Sequence, residues 1–154
     1  MTFTDKAKEL LKKLEGCRLV AYQDAGKVLT IGYGHTGPDV TPASVWTQEK
    51  ADLTLDRDIA RFTAGVKSCL GEAVDLTDSQ FSSLVIFCFN VGLHAFAGST
   101  LLRVLQAGYL EAVPSQIAQW NKIHLPSGAF VVDPELTKRR LAEIKLWESG
   151  APVA

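Results

Sequence analysis

The sequence predicts a mostly helical α+β domain in which one short β-hairpin interrupts a series of helices. Apolar residues recur at helical spacing through residues 55–70, which is typical of a long amphipathic helix. β-Favouring residues flank a turn of the type Asp-Ala-Gly within residues 17–35, which indicates a hairpin. With 154 residues and 47% hydrophobic content, the chain is long enough to bury the core of one such domain.

The first predicted helix covers residues 3–14, where apolar side chains alternate with lysines at helical spacing. Thr2 and Asp5 suit a capping pair at its start, and Gly16 suits its end. Glu15 should therefore project from a helix terminus. A carboxylate is mildly unfavourable at that end of the helix dipole, which favours a functional reason for its presence.

The hairpin should turn at Asp24, with Gly26 taking a positive φ. Gly32 and Gly34 weaken the returning strand and indicate a close approach of backbone or ligand there. Further start and stop signals predict the remaining helices. One helix should begin after Thr47, and the next should run from Thr77 through Phe89. After a break at residues 92–98, a helix should cover 99–107. The last two helices should run from Pro114 to Trp120 and from Asp133 to Gly150.

Charge and hydropathy exclude several classes of protein. The formal net charge of −1 gives no support for nucleic-acid binding. The longest apolar run, residues 84–89, is far below the ~20 residues that a spanning helix needs, and the first residues lack a signal-peptide core. We therefore expect no stable membrane insertion.

The cysteines Cys17, Cys69 and Cys88 have no metal-ligand spacing, and an odd number cannot pair completely. Cys17 lies two residues from Glu15, but no Cys-His pair supports a thiol nucleophile. His94 and His124 have no carboxylate or cysteine at ligand spacing. We expect neither a metal site nor a cofactor.

The most informative pattern is Glu15, eight residues, Asp24, five residues, Thr30. Glycosidic cleavage needs a proton donor for the leaving oxygen and a second carboxylate that attacks or activates water. Glu15 closes a helix while Asp24 lies at a turn, and different environments separate two carboxyl groups into an acid and a base. The Thr30 hydroxyl, on the returning strand, could hold the attacking water.

These residues resemble the catalytic signature of the phage-type lysozymes, glycoside hydrolase family 24, and among them the lambdoid phage endolysins. Three further blocks resemble the same family: residues 30–35, residues 87–102 and residues 136–147. The family commonly has Gly before the residue that matches Leu136, where this chain has Glu135. That departure affects the local backbone and any wall contact there.

The resemblance implies one catalytic domain over residues 1–154 with a lysozyme-like two-lobed fold. A small hairpin lobe, about 15–56, would be joined by a long helix near 56–69 to a helical lobe, about 57–154 plus helix 3–14. It also implies hydrolysis of β-1,4 bonds between N-acetylmuramic acid and N-acetylglucosamine in peptidoglycan. Glu15 would be the acid, and Asp24 with Thr30 would activate water.

The resemblance further implies a monomer that stays in the host cytoplasm until a separate holin opens the inner membrane, and then acts on periplasmic peptidoglycan. Gly34, Phe89, Asn90 and Arg140 are candidate substrate-binding residues, with Asn90 suited to sugar amides. His35 could shuttle protons, although a structural role is favoured. Arg139 or Arg140 could pair with Glu15 or line the cleft.

Two alternatives stay open. A lytic transglycosylase also starts from a catalytic Glu but uses a hydroxyl of the substrate and needs no Asp24. A wall-binding module without catalysis is the second, although the intact Glu15, Asp24 and Thr30 argue against it. If water attacks, the anomeric centre should invert, with the two carboxyl groups about 6.5–9.5 Å apart.

Overall fold

The computed structural model describes residues 1–150, which form two compact units. The smaller unit is Lys8–Arg61. The larger unit combines Met1–Ala7 with the described residues from Phe62 onward. The small lobe expected at about residues 15–56 lies inside the smaller unit, which also contains most of the first helix. The single catalytic domain stays a prediction.

Helix α1 covers Asp5–Glu15 and is shorter at its start than predicted. The predicted pair of Thr2 and Asp5 does not cap it, because Thr4 Oγ1 accepts a hydrogen bond from Ala7 N at 3.1 Å. Thr2 N instead donates to Asp78 Oδ1 at 2.8 Å. Gly16 takes a φ of 65° and ends the helix as predicted, which leaves Glu15 as the last helical residue.

The predicted hairpin is part of an antiparallel three-stranded sheet in the order β1 (Arg18–Gln23), β2 (Leu29–Gly32) and β3 (His35–Thr36). Its turn differs from the prediction, because Lys27 has the positive φ of 61° and Gly26 does not. The Asp24 carboxylate explains the difference. Its Oδ1 accepts from Gly26 N at 2.8 Å and from Val28 N at 2.9 Å, which fixes the turn around the acid.

One hydrophobic cluster of the smaller unit forms where β2 meets the segment leading into the second helix. It consists of Ile31, Val40, Trp46 and Ala51, all at most 6% exposed. Gly32 is needed here, since a Cβ at that position would lie 3.0 Å from the Trp46 ring. The glycine in β2 therefore marks a close approach, but the approaching group is the Trp46 side chain and not the backbone or ligand that was predicted.

Helix α2 covers Gln48–Leu70 and is much longer than the helix expected near residues 56–69. The predicted cap explains its true start, because Lys50 N donates to Thr47 Oγ1 at 3.1 Å. Gly71, with a φ of 77°, follows its last residue. The local capping signal was therefore a better guide than the bounds taken from the family.

The larger unit is built from α3 (Asp78–Val91), α4 (Leu93–Ala97), α5 (Thr100–Gln106), a 3₁₀ turn (Leu110–Ala112), α6 (Val113–Ala118) and α7 (Pro134–Ser149). The predicted break at 92–98 was wrong, because it contains α4. Helix α3 is buried at every position from Gln80 to Cys88 and contributes to a single apolar core. Asp133 caps α7 through Glu135 N and Leu136 N, and Gly150 ends it, as predicted.

A second hairpin, which the sequence reading missed, lies between α6 and α7. Strands β4 (Lys122–His124) and β5 (Phe130–Val132) pair antiparallel, and all six residues are exposed. A strand with no buried face has no alternation to detect. Among residues 1–150, no helix combines the length and the apolar character that crossing a membrane requires.

His35 ties the sheet of the smaller unit to the loop that follows it and to α2. Its Nδ1 lies 2.7 Å from Asp58 Oδ2, and its Nε2 lies 3.0 Å from Asp39 Oδ2. Burial lowers the pKa of His35, but hydrogen bonds to Asp58 and Asp39 outweigh burial and raise that pKa above its usual value. The His35 hydrogen bond in turn lowers the pKa of Asp39.

The contacts of His35 with Asp58 and Asp39 predict that the stability of the fold depends on pH. The pKa of His35 is higher in the folded protein than in the unfolded chain, where it is about 6.5. The contribution of His35 to the unfolding free energy is therefore complete below about pH 6.5 and is lost as the pH rises through the pKa of the folded protein. Asp58→Asn should therefore cost more unfolding free energy near about pH 5.5 than near about pH 8.5. Denaturant titrations at both pH values measure this. Equal losses would contradict it, and an NMR titration should show a lowered His35 pKa in the variant.

The capping box of α3 gives a second stability prediction. Gln80 N donates to Thr77 Oγ1 at 3.2 Å, and Thr77 N donates to Gln80 Oε1 at 3.0 Å. Thr77→Ala should lower the unfolding free energy by about 1 kcal/mol, because it leaves a helix N–H without its acceptor. Thr77→Ser keeps the hydroxyl and is the control. Equal stability of the Ala and Ser variants in denaturant titrations would show that the cap contributes nothing.

Candidate active site

Glu15 is held against the turn between β2 and β3. It is half-buried as the last residue of α1. Gly34 has a φ of 72°, and a Cβ built on it would lie 2.5 Å from Glu15 Oε2. A side chain at position 34 and the Glu15 carboxylate cannot occupy this space together. The close approach predicted for Gly34 is therefore an approach to the candidate acid itself.

Asp24 has one carboxylate oxygen fixed and one available. Oδ1 accepts the two backbone hydrogen bonds that shape the turn. Oδ2 has no hydrogen-bond partner within residues 1–150, and the side chain is exposed. A carboxylate anchored at one oxygen keeps its orientation while the other can accept a proton or hold a water.

Thr30 is tied to Asp24 through the backbone of Val28. Thr30 is 4% exposed, and its hydroxyl donates to Val28 O at 2.9 Å. Val28 O also accepts from Asp24 N at 3.0 Å, while Val28 N donates to Asp24 Oδ1. Because the Thr30 proton is used for Val28, its Oγ1 lone pairs are left to accept a hydrogen bond.

Tyr22 is a neighbour of both acids that the sequence reading missed. It pairs with Thr30 across β1 and β2. Burial raises the pKa of Tyr22, Arg18 opposes this, and the charges of Glu15 and Asp24 add to the increase. Tyr22 therefore lies within electrostatic range of both candidate carboxylates. The alternation of the strand could have indicated it, since Tyr22 stands two residues before Asp24.

The candidate residues of the larger unit divide into two groups. Asn90 and Arg140 line a pocket of about 430 Å³, whereas Phe89 is half-buried and packs on Phe62 with ring centroids 5.0 Å apart. The other residues that line the pocket are Val91, Gln119, Trp120, Lys122, Phe130 and Leu136. Sequence reasoning missed these because the β4–β5 hairpin that brings some of them together was not predicted.

Arg139 and Arg140 are buried around one carboxylate rather than forming a solvated face. Glu143 is 0% exposed, and its Oε1 accepts from Arg140 Nη2 at 2.8 Å and from Arg139 Nε at 3.4 Å. Burial raises the pKa of Glu143 and lowers that of Arg140, and the attraction between the opposite charges opposes both shifts. Arg140 also donates to Asn90 Oδ1 at 2.8 Å and to Trp120 O at 3.2 Å.

The cysteines and histidines contribute no second site. Cys17 is exposed, Cys69 half-buried and Cys88 buried, and all three are free. Burial raises the pKa of Cys88 far above its usual value, which makes its thiol inert at neutral pH. His35 contacts Asp58 and Asp39. No group of three or more metal-ligating side chains was found among residues 1–150.

Known proteins resemble this chain in sequence and fold. The model of the phage lysozyme family matches residues 12–143. The endolysin of Bacillus phage B103 is 41% identical over 152 residues, covering 97% of this chain and 55% of that protein. The endolysin of Acyrthosiphon pisum secondary endosymbiont phage 1 is 38% identical over 150 residues, covering 97% of this chain and all of that protein. The chain thus spans about half the length of the Bacillus phage relative.

A solved structure with a similar fold is the muramidase domain of SpmX from Asticaccaulis excentricus. It is 32% identical with a TM-score of 0.84, and the superposition covers 95% of this chain and 97% of that domain. The family match covers the end of α1 with Glu15, the hairpin that carries Asp24 and Thr30, and α7 as far as Glu143. On this match over most of its length, the chain belongs to the phage lysozyme family.

Proposed function

We propose that the chain is an endolysin muramidase that hydrolyses the β-1,4 bond between N-acetylmuramic acid and N-acetylglucosamine in peptidoglycan. The observation that carries this is the Asp24–Val28–Thr30 arrangement in a member of the phage lysozyme family. It fixes a carboxylate and a hydroxyl through one residue's backbone and leaves an acceptor on each. Water needs two such acceptors if it is to be held and deprotonated at once.

In the proposed reaction, Glu15 protonates the glycosidic oxygen that leaves. The attacking water donates a hydrogen bond to Thr30 Oγ1 and transfers its other proton to Asp24 Oδ2. The water oxygen then forms the new bond to the anomeric carbon. The product is a reducing sugar end with inverted configuration. Because Glu15 supplies the proton for the leaving oxygen, Asp24 accepts the proton of the water, and Thr30 only holds the water by a hydrogen bond, this route uses no cofactor.

The pocket of the larger unit supports Asn90 and Arg140 as substrate-binding residues, Asn90 through its exposed amide and Arg140 by holding it. Gly34 would contribute by making room for Glu15, and Phe89 by packing on Phe62. The names of the relatives support an endolysin role in lysis. We propose accordingly a monomer that is held in the host cytoplasm until a separate holin gives it access to periplasmic peptidoglycan.

Glu15→Gln should reduce the clearing of purified peptidoglycan by about 10²–10⁴-fold, because an amide cannot donate the catalytic proton. Glu9→Gln, an exposed acid on the same helix, is the matched control and should retain activity.

Product analysis of the wild-type reaction should give reducing ends. A 1,6-anhydro end would instead indicate a transglycosylase, and wall sedimentation without clearing would indicate a binding module. Normal clearing by folded Glu15→Gln protein would refute the assignment.

Gly34→Ala should reduce activity at least tenfold, because the new Cβ displaces the Glu15 carboxylate. Misplacing a catalytic group by about 1 Å can cost about 10²-fold. Gly71→Ala is the matched control, since Gly71 also has a positive φ of 77° but nothing lies within 4 Å of its added Cβ. Both variants should lose about 1–2 kcal/mol of stability from backbone strain. Equal turnover by the two variants would contradict the steric argument.

A further inference from the structure

We propose that Arg140 and Glu143 are positioning residues that orient the Asn90 amide to recognise the acetamido group of a glycan. The inference rests on the proposed function, whose substrate carries N-acetyl groups, and assigns the recognition of one such group to Asn90 as held by Arg140 and Glu143. Three features of the larger unit carry it. They are the direction of one hydrogen bond, the immobility of Arg140, and the chemistry of the pocket lining.

The hydrogen bond between Arg140 and Asn90 fixes which end of the amide is free. A guanidinium has only donors, so the Asn90 atom 2.8 Å from Arg140 Nη2 must be the carbonyl oxygen Oδ1. Oδ1 and Nδ2 lie on opposite sides of the planar amide. Nδ2 has no hydrogen-bond partner within the described residues, and Asn90 is exposed in the pocket wall. The amide therefore offers a donor to a ligand.

Arg140 cannot readily turn to release this orientation. It is 1% exposed, and its guanidinium is held by Glu143 at two points, with Nη2 2.8 Å from Oε1 and Nε 2.7 Å from Oε2. Nη1 donates to Trp120 O. Glu143 is itself 0% exposed, so moving Arg140 would separate two opposite charges inside the protein. A buried ion pair thus sets the direction of an exposed amide.

The rest of the pocket suits an acetamido group. An acetamide presents a carbonyl oxygen, which Nδ2 can bind, and a methyl group, which needs apolar contacts. Val91 and Leu136 supply aliphatic surface, and Trp120 and Phe130 supply aromatic surface. A protonated amine at the same place would find no carboxylate among the lining residues and would be repelled by Lys122. Charge and shape therefore favour the acetylated sugar.

The test compares the binding of two probes of equal length, the N-acetylglucosamine tetramer and the glucosamine tetramer, by calorimetry. Asn90→Asp keeps an oxygen for Arg140 and removes the donor. It should weaken binding of the acetylated tetramer about three- to tenfold, the usual contribution of one hydrogen bond. Binding of the glucosamine tetramer should be unchanged or tighter, because the new carboxylate attracts its ammonium groups. Such a substrate-dependent effect is the signature of direct coupling.

Asn121→Asp is the matched control. It introduces the same charge at a position next to the pocket residues Trp120 and Lys122, but Asn121 does not itself line the pocket, because its Nδ2 donates to Thr137 Oγ1 at 3.2 Å. It should leave the ratio of the two affinities as in the wild type. An Asn90→Asp variant that weakens both tetramers equally, or neither, would overturn the proposal.

Positioning by Arg140 has its own measurement. In the wild-type protein, the Asn90 side-chain amide should be rigid by ¹⁵N relaxation, and its signals should shift with the acetylated tetramer and not with the glucosamine tetramer. A mobile Asn90 amide in the wild type would overturn the positioning role, whether or not an Arg140→Lys variant folds. These readouts need no hydrolysis. A failure of acetamido selectivity is therefore distinguishable from a failure of the Glu15 assignment.

Discussion

The smaller unit depends on the space between Glu15 and Gly34. The Glu15 carboxylate can lie against the turn between β2 and β3 because position 34 has no Cβ, since a Cβ there would lie 2.5 Å from Glu15 Oε2. Gly34 also has a φ of 72°, which residues with a side chain adopt only at a cost. A glycine at this position therefore both leaves room for the Glu15 carboxylate and allows the backbone conformation of the turn. His35 follows at once and binds Asp58 of α2. The turn that makes room for the acid is therefore also the turn fastened to the long helix.

The larger unit has a different central constraint, the burial of three charges. Glu143 has no exposed surface, and the two arginines that neutralise it are at most 8% exposed. Such a cluster is weak evidence for stability, because desolvation offsets much of the attraction. Its value lies in geometry, since Arg140 reaches from the cluster to Trp120 O and to Asn90 at the pocket wall. A group paired in this way has few alternative positions, which suits the orientation of a binding residue.

The sequence predicted these features unequally, and the reasons are physical. Thr77, Thr47 and Asp133 were predicted correctly as caps, because a cap is a local bond between residues two to four apart. The turn at Asp24 was placed correctly but its positive φ was assigned to Gly26, since the Asp24 hydrogen bonds to Gly26 N and Val28 N decide the conformation and leave Lys27 in the left-handed region. The β4–β5 hairpin has no buried face and so no pattern. Arg140 was a candidate binding residue from the family resemblance, but its hydrogen bond to Asn90 joins residues 50 positions apart and leaves no local pattern in the sequence.

The spacing of the catalytic pattern follows from the same hydrogen bonds. Four residues beyond Asp24, Val28 closes the turn by accepting from Asp24 N and donating to Asp24 Oδ1. Two residues further, Thr30 lies in β2, where its hydroxyl donates to Val28 O and its backbone pairs with Tyr22 of β1. One residue more or fewer between Asp24 and Thr30 would turn the hydroxyl to the opposite face of the sheet. Val28 supplies only its backbone to Asp24 and Thr30, so many side chains would serve there. The number of residues between Asp24 and Thr30 is therefore constrained more tightly than the identity of the side chain at Val28.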